Sequence, residues 1–278
     1  RERMTRVLRR QEPDRVPIGY QANRGIDARL KAHFGLAPDD YEGLRRALQV
    51  DVRGVHVPYI GPRLHAELPE RNVCAQWGIR TRYIEHGSGG YWDFCDFPLA
   101  QADEAAIDAW PMPSPDDYDY SVVAARCAAH ADFALFTGGA DIGDIMNGCG
   151  MLFGADVILM NLAMEHAPTL RFVDRRLAVQ LEVLRRTLAA ADGRIDFLII
   201  GEDLGTQRGP LIGLPMFRQI LRPRLQRLVD VAASYRIPVM IHSCGSSSWA
   251  FDDFIAMGIA CVDTLQPEAA NMSPAYLK

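Results

Sequence analysis

The chain has 278 residues, 49% apolar and 23% charged, a balance that excludes a disordered segment and allows one sizeable core. Its net charge of −5 excludes the extended basic surface that nucleic acid or anionic lipid requires. No apolar run reaches the roughly 18–20 residues needed to cross a bilayer, and the basic N-terminal stretch leads into no signal-peptide core, so a cytoplasmic protein that binds neither nucleic acid nor membrane is expected.

In chain order, "RERMTRVLRRQ" reads as a helix and "RVPIGY" (15–20) as a short first strand. Helices at "GIDARLKAHFG" and "YEGLRRALQ" follow, and "DVRGVHVPYIGP" (51–62) reads as a strand ending in a Pro/Gly turn. The alternation and Gly-rich turn of "WGIRTRYIEHGSGGYWDF" predict a β-hairpin at about 73–97, an elaboration of the N-terminal part in which Trp77, Tyr83, Tyr91 and Trp92 are packing residues. A Pro/Asp-rich connector then leads to the helix "SVVAARCAAHA" and the strand "FALFTGG".

From about 132 onward the rhythm is regular. A long amphipathic helix from near Pro168 to Gly193 precedes the strand "IDFLIIGEDLG". Helix 215–236, bent at Pro223, precedes the strand "IPVMIHSCG"; a further helix, "SSWAFDDFIAMG", precedes the strand "IACVDTLQPE". Met160 and Met164 are read as core. Short apolar strands alternating with helices give a parallel sheet, and the absence of a dinucleotide GxGxxG turn favours a single-domain α/β fold of the (β/α)8 TIM-barrel type over a doubly wound sheet. Six or seven strands are visible, so the eighth is expected beyond Lys278, as in a chain trimmed at its C-terminus.

In a barrel the residues just past each strand converge on one mouth, and that rule selects Tyr20, Asn23, His56, Tyr59, Gly138, Gly139, Glu202, Asp203, His242, Cys244 and Gln266. Two stretches stand out. "GEDLGTQRGP" places two carboxylates, Gln207 and Arg208 in one loop, suited to a metal or a carboxylated substrate; capping and ion pairing are the structural alternative. His242 and Cys244 sit two apart, and in an extended segment such residues point the same way, so imidazole and thiol can share one ion. A buried cysteine beside a core histidine is the equally weighted alternative.

A catalytic zinc takes three protein ligands and an open position, which His242, Cys244 and Glu202 can supply from neighbouring strand ends. These three are the expected catalytic residues, with His56, Tyr59, Asp203, Gln207, Arg208 and Gln266 around a small-molecule substrate. The remaining cysteines (74, 95, 127, 149, 261) are too scattered for a disulfide framework, and Cys149 and Cys261 are weaker candidates as ligands.

The stretches "PDRVPI", "GADVILMNLAMEHAPTLRFVDRRL", "GEDLGTQRGPLIGLPMFRQILRPRLQRLVDVA", "PVMIHSCGS" and "LQPEAANMSP" resemble the uroporphyrinogen decarboxylase family, most of all its corrinoid-linked branch of the methylcobalamin:coenzyme M methyltransferase type. The resemblance implies a (β/α)8 barrel and methyl transfer between a corrinoid, supplied by a partner protein, and a thiol or similar acceptor. It also implies zinc at the His-x-Cys pair, with a third soft ligand near the C-terminus that would fall past Lys278. A homodimer is compatible with it.

Porphyrinogen decarboxylation without metal is the alternative within the family. Against it, "GYQANRGIDARL" keeps Arg24 but lacks the paired arginines of the decarboxylases, and His56 stands where their acid is wanted. A non-catalytic corrinoid- or porphyrin-binding barrel is a third reading.

Overall fold

A computed structural model describes residues 1–87 and 89–278. The N-terminal part runs α1 (Glu2–Leu8), α2 (Arg24–His33), α3 (Tyr41–Ala47), β1 (Val52–Gly54), β2 (Asn72–Val73), β3 (Arg80–His86), β4 (Gly89–Phe94), α4 (Glu104–Asp108) and α5 (Val122–Ala129). There follow β5 (Ala134–Gly138), α6 (Met146–Phe153), α7 (Ala155–Ala163), α8 (Ala167–Ala191), β6 (Phe197–Gly201), α9 (Leu214–Met216), α10 (Arg222–Ser234), β7 (Val239–His242), α11 (Phe251–Met257), β8 (Cys261–Asp263) and α12 (Pro274–Leu277).

Five strands form one parallel sheet in the order β1-β5-β6-β7-β8, and β2-β3-β4 form a separate antiparallel sheet. The fold is therefore α/β with a parallel main sheet. Its alternation of side chains sorts the core into two faces. Leu135, Leu198, Ile200, Val239 and Ile241 pack under the helices with the apolar face of α8 (Phe172, Leu177, Leu181, Leu184, Leu188), while Ala134, Phe136, Phe197, Ile199 and Met240 face the other way toward Met4 of α1. Each fully buried Leu, Ile, Val or Phe among them contributes about 1.5–3 kcal/mol of transfer free energy.

Several sequence expectations are corrected. "RVPIGY" forms no strand; Ile18 instead exchanges bonds with Asp51, whose backbone N–H donates to Ile18 O at 2.9 Å and whose carboxylate accepts from Ile18 N at 2.8 Å. Met160 on α7 and Met164, the residue that caps its C-terminus, are 53% and 62% exposed and are not core. The helix read over 215–236 is broken: α9, a π turn at Phe217–Leu221 and α10 succeed one another, because Pro223 has no N–H to give back to the preceding turn.

The expected hairpin is present as β3–β4 and gains a third short strand, β2; Tyr83 and Trp92 are register partners with ring centroids 5.5 Å apart, as cross-strand packing. Among the described residues no single helix is long and apolar enough to cross a membrane; α6 and α7 pass that test only as a pair bent by 117° at Gly154.

Candidate metal centre

Parallel strands end together, and the ends of β6, β7 and β8 carry most of the chemistry-bearing side chains. Register decides which of them meet. Gly201 of β6 pairs with His242 of β7, and His242 pairs with Asp263 of β8. The extended pairing continues one step, since Glu202 N donates to His242 O at 3.0 Å. With a period of two, Asp203 then falls level with Cys244 on the side that carries His242, and Glu202 and Ser243 point the opposite way.

Asp203, His242 and Cys244 accordingly form the cluster: one ligand atom from each lies within 4.8 Å of the other two. Cys244 Sγ is 3.4 Å from His242 Nε2, and that nitrogen is 3.6 Å from Asp203 Oδ1. Zinc–nitrogen, –oxygen and –sulfur bonds of about 2.0–2.3 Å in a tetrahedral shell set donors roughly 3.3–3.6 Å apart, so the two measured separations fit that ion.

The surrounding groups hold the three in place. Asp263 Oδ2 lies 3.0 Å from His242 Nδ1 and Thr264 Oγ1 3.1 Å from it, leaving Nε2 directed at the cluster. The bond to Asp263 raises the His242 pKa, and the imidazole in turn holds Asp263 below the usual carboxylate range. Asn147 Nδ2 donates to Asp203 Oδ2 at 2.8 Å, and Cys244 N donates to Asp203 Oδ1 at 2.7 Å. Burial, with the Asp203 carboxylate beside it, pushes the Cys244 thiol up to about 11.

The loops after β6 and β7 approach so closely that only glycine fits. Gly245 has φ +71° and a Cβ there would sit 2.3 Å from Gly205 O, while a Cβ on Gly205 would sit 2.3 Å from Ser246 N.

Glu202 is not part of this cluster. It is 1% exposed, and its carboxyl faces the start of α6, accepting from Ile145 N at 2.8 Å and Met146 N at 3.1 Å. Since α6 has no side-chain cap of its own, Glu202 satisfies orphan donors of that helix. Asp144 lies against it; burial raises both carboxyls, Asp144 to about 6, with the Asp144 charge adding to the rise at Glu202 and the Asp203 charge to that at Asp144, so the pair retains a proton where free carboxylates would not. The metal role expected of Glu202 belongs geometrically to Asp203.

The other expected residues disperse. Gln266 reaches the site, its Oε1 accepting from Gly245 N and tying the β8 loop to the β7 loop. Gln207 and Arg208 are exposed in a turn organised by Thr206 Oγ1, which accepts from Arg208 N and Gly209 N at 3.2 Å. Tyr59 points its hydroxyl to Pro62 O at 2.6 Å and packs on Tyr118, and the ring of His56 packs edge-on against Phe136. Cys149 is fully buried with its thiol pushed up to about 11 by burial, an inert core position. Cys261 opens β8, as its spacing predicts, and is not in the cluster.

Asp263, Thr264, Asn147 and Asp144 were not singled out by sequence reasoning. Asp263 had a usable signal, since it ends the strand after "PVMIH" and is thus a neighbour of that histidine. Asn147 and Asp144 had none, because α6 carries no periodic apolar stripe. No known family model matches the chain, and no curated protein matches it significantly.

Proposed function

We propose that the chain is a zinc-dependent methyltransferase built on a (β/α)8-type barrel, transferring a methyl group between a corrinoid held by a separate protein and a thiol or similar small acceptor. The observation that carries the reading is the cluster of one imidazole, one thiol and one carboxylate at the C-terminal ends of adjacent parallel strands. The barrel reading is supported by strands that follow one another in chain order with no reversal, the way a barrel adds strands and unlike a doubly wound sheet with its switch point.

The donor set is borderline-soft, which suits zinc better than magnesium or calcium. When bound by Asp203, His242 and Cys244, zinc would lower the pKa of a thiol brought beside it, supplying a nucleophile at neutral pH.

The residues of the chain supply the rest. Asp263 fixes the ring of His242 so that Nε2 is the ligating atom, and Asn147 fixes the orientation of Asp203. Gln266 and the paired glycines hold the Cys244 loop against the loop after β6. A cavity of about 620 Å³ opens beside the cluster, lined in part by Phe94, Phe97 and Met151, and gives an apolar approach for a methyl group.

The test is metal content and methyl transfer together. The protein purified under reducing conditions with zinc supplied is expected to hold one zinc per chain and to speed the loss of the methylcobalamin absorbance in the presence of a small thiol. Cys244→Ala should lose both. A wild-type chain that retains no zinc would sink the proposal.

A further inference from the structure

The cavity of about 620 Å³ beside the metal cluster carries one sign of fixed charge. Asp93 on β4, Asp141 in the loop after β5, Asp144, Glu202 and Asp203 line it, and neither a lysine nor an arginine does. These carboxyls are not equivalent. Glu202 and Asp144 are buried and bonded to one another beneath α6, so they offer nothing to a ligand, and Asp203 belongs to the cluster. Asp141 is exposed and Asp93 half-buried, and among the described residues neither makes an ion pair, although Arg82 stands opposite Asp93 in the hairpin register. Arg176, in the wall of an adjoining cavity that shares Asp141, is engaged by backbone: Nη1 donates to Asp144 O at 2.7 Å and Nη2 to Asp141 O at 3.4 Å.

A bound zinc does not cancel this field. Its charge is matched by the Asp203 carboxylate and the Cys244 thiolate, His242 being a neutral ligand, so Asp93 and Asp141 stay uncompensated. An anion entering the cavity meets like charge and no cationic side chain to receive it. A cation meets the two carboxylates and also the rings of Phe94 and Phe97, both exposed, and aromatic faces attract an ammonium group. The aromatic lining is independent of the acidic one and points to the same ligand charge.

We infer that the acceptor taken by this cavity is a small cationic thiol of the aminoalkanethiol class, selected over sulfonate- and carboxylate-bearing thiols by Asp93 and Asp141 together with Phe94 and Phe97. The inference rests on the proposed reading of this cavity as the approach to the metal. The charge preference itself is a property of the walls and holds with or without the ion.

The test uses the unreactive methylated forms of two such thiols, S-methylcysteamine as the cation and 3-(methylthio)propionate as the anion, titrated into the full chain by ligand-observed NMR at low ionic strength, with and without zinc. The cation is expected to bind saturably and at least about tenfold more tightly than the anion, with the preference shrinking as salt is added. In the double variant Asp93→Asn/Asp141→Asn the two ligands should bind within about threefold of each other. Both carboxylates reach solvent, so circular dichroism should show the fold unchanged. An anion bound as tightly as the cation, saturable binding of neither, or a preference that persists in the double variant or at high salt overturns the inference. Because the preference is read in metal-free protein and without methyl transfer, its failure is separate from a failure to hold zinc.

Discussion

Glu202 and Asp203 are the same chemistry one residue apart, and they end in opposite surroundings. Glu202 turns inward beneath α6, dry and bonded to two backbone N–H groups, with Asp144 as its acid neighbour. Asp203 turns to the rim, half-buried, oriented by Asn147 and in reach of an imidazole and a thiol. The inner carboxylate serves the fold and the outer one serves the site. The difference comes from strand alternation and nothing in the side chains themselves.

The largest expected effect falls on the inner residue. Glu202→Ala leaves two buried N–H groups at the start of α6 unpaired and should cost about 3 kcal/mol in urea unfolding, while Asp203→Ala should cost under about 1 kcal/mol. Equal losses from the two would erase the distinction. Next, Gly245→Ala places a Cβ against the backbone of Gly205 at a positive φ and should cost about 2 kcal/mol. It should also weaken zinc binding, because the loop carrying Cys244 is displaced; a variant with unchanged affinity would show the loops to be independent.

On the outer side, Asp263→Asn should weaken zinc binding by about 10- to 100-fold while leaving the melting temperature nearly unchanged, as expected for a group that orients a ligating histidine. A competition titration measures this directly.

A separate effect is one of pH on the metal-free protein. Asp144 titrates higher folded than unfolded, so the fold binds the extra proton between the two values. Stability from this source is complete below the unfolded value near 3.8 and is lost as pH rises through about 6. Asp144→Asn should flatten this loss; a wild-type stability that rises across that window would contradict the buried pair.

The regular part of the chain was legible because its periods are clean. α8 repeats apolar residues at three- and four-residue intervals to a left-handed Asp192 and Gly193, and β5 to β8 each stand as a short apolar run. The site was half legible. His242 and Cys244 share parity within one strand and could be paired by spacing, but choosing between Glu202 and Asp203 needed the register of β6 on β7, which a sequence read alone does not state.

The first third was harder for a different reason. "RVPIGY" has the composition of a strand, yet Asp51 competes for its backbone, bonding Ile18 on both sides while Arg3 and Arg15 hold the carboxylate. α6 and α7 are apolar on nearly every side and broken at Gly154, so neither a stripe nor a cap announces them, and Met160 and Met164 read as core although they face outward.

The most direct test of the central claim is a zinc competition titration on three proteins: wild type, Asp203→Ala and Glu202→Gln. The Gln isostere keeps an oxygen for the α6 N–H groups, so all three should fold. Asp203→Ala is expected to lose at least about tenfold in affinity and Glu202→Gln to stay within about twofold of wild type. The reverse pattern, with Glu202→Gln losing the metal and Asp203→Ala retaining it, would contradict the assignment of the rim cluster as the metal site.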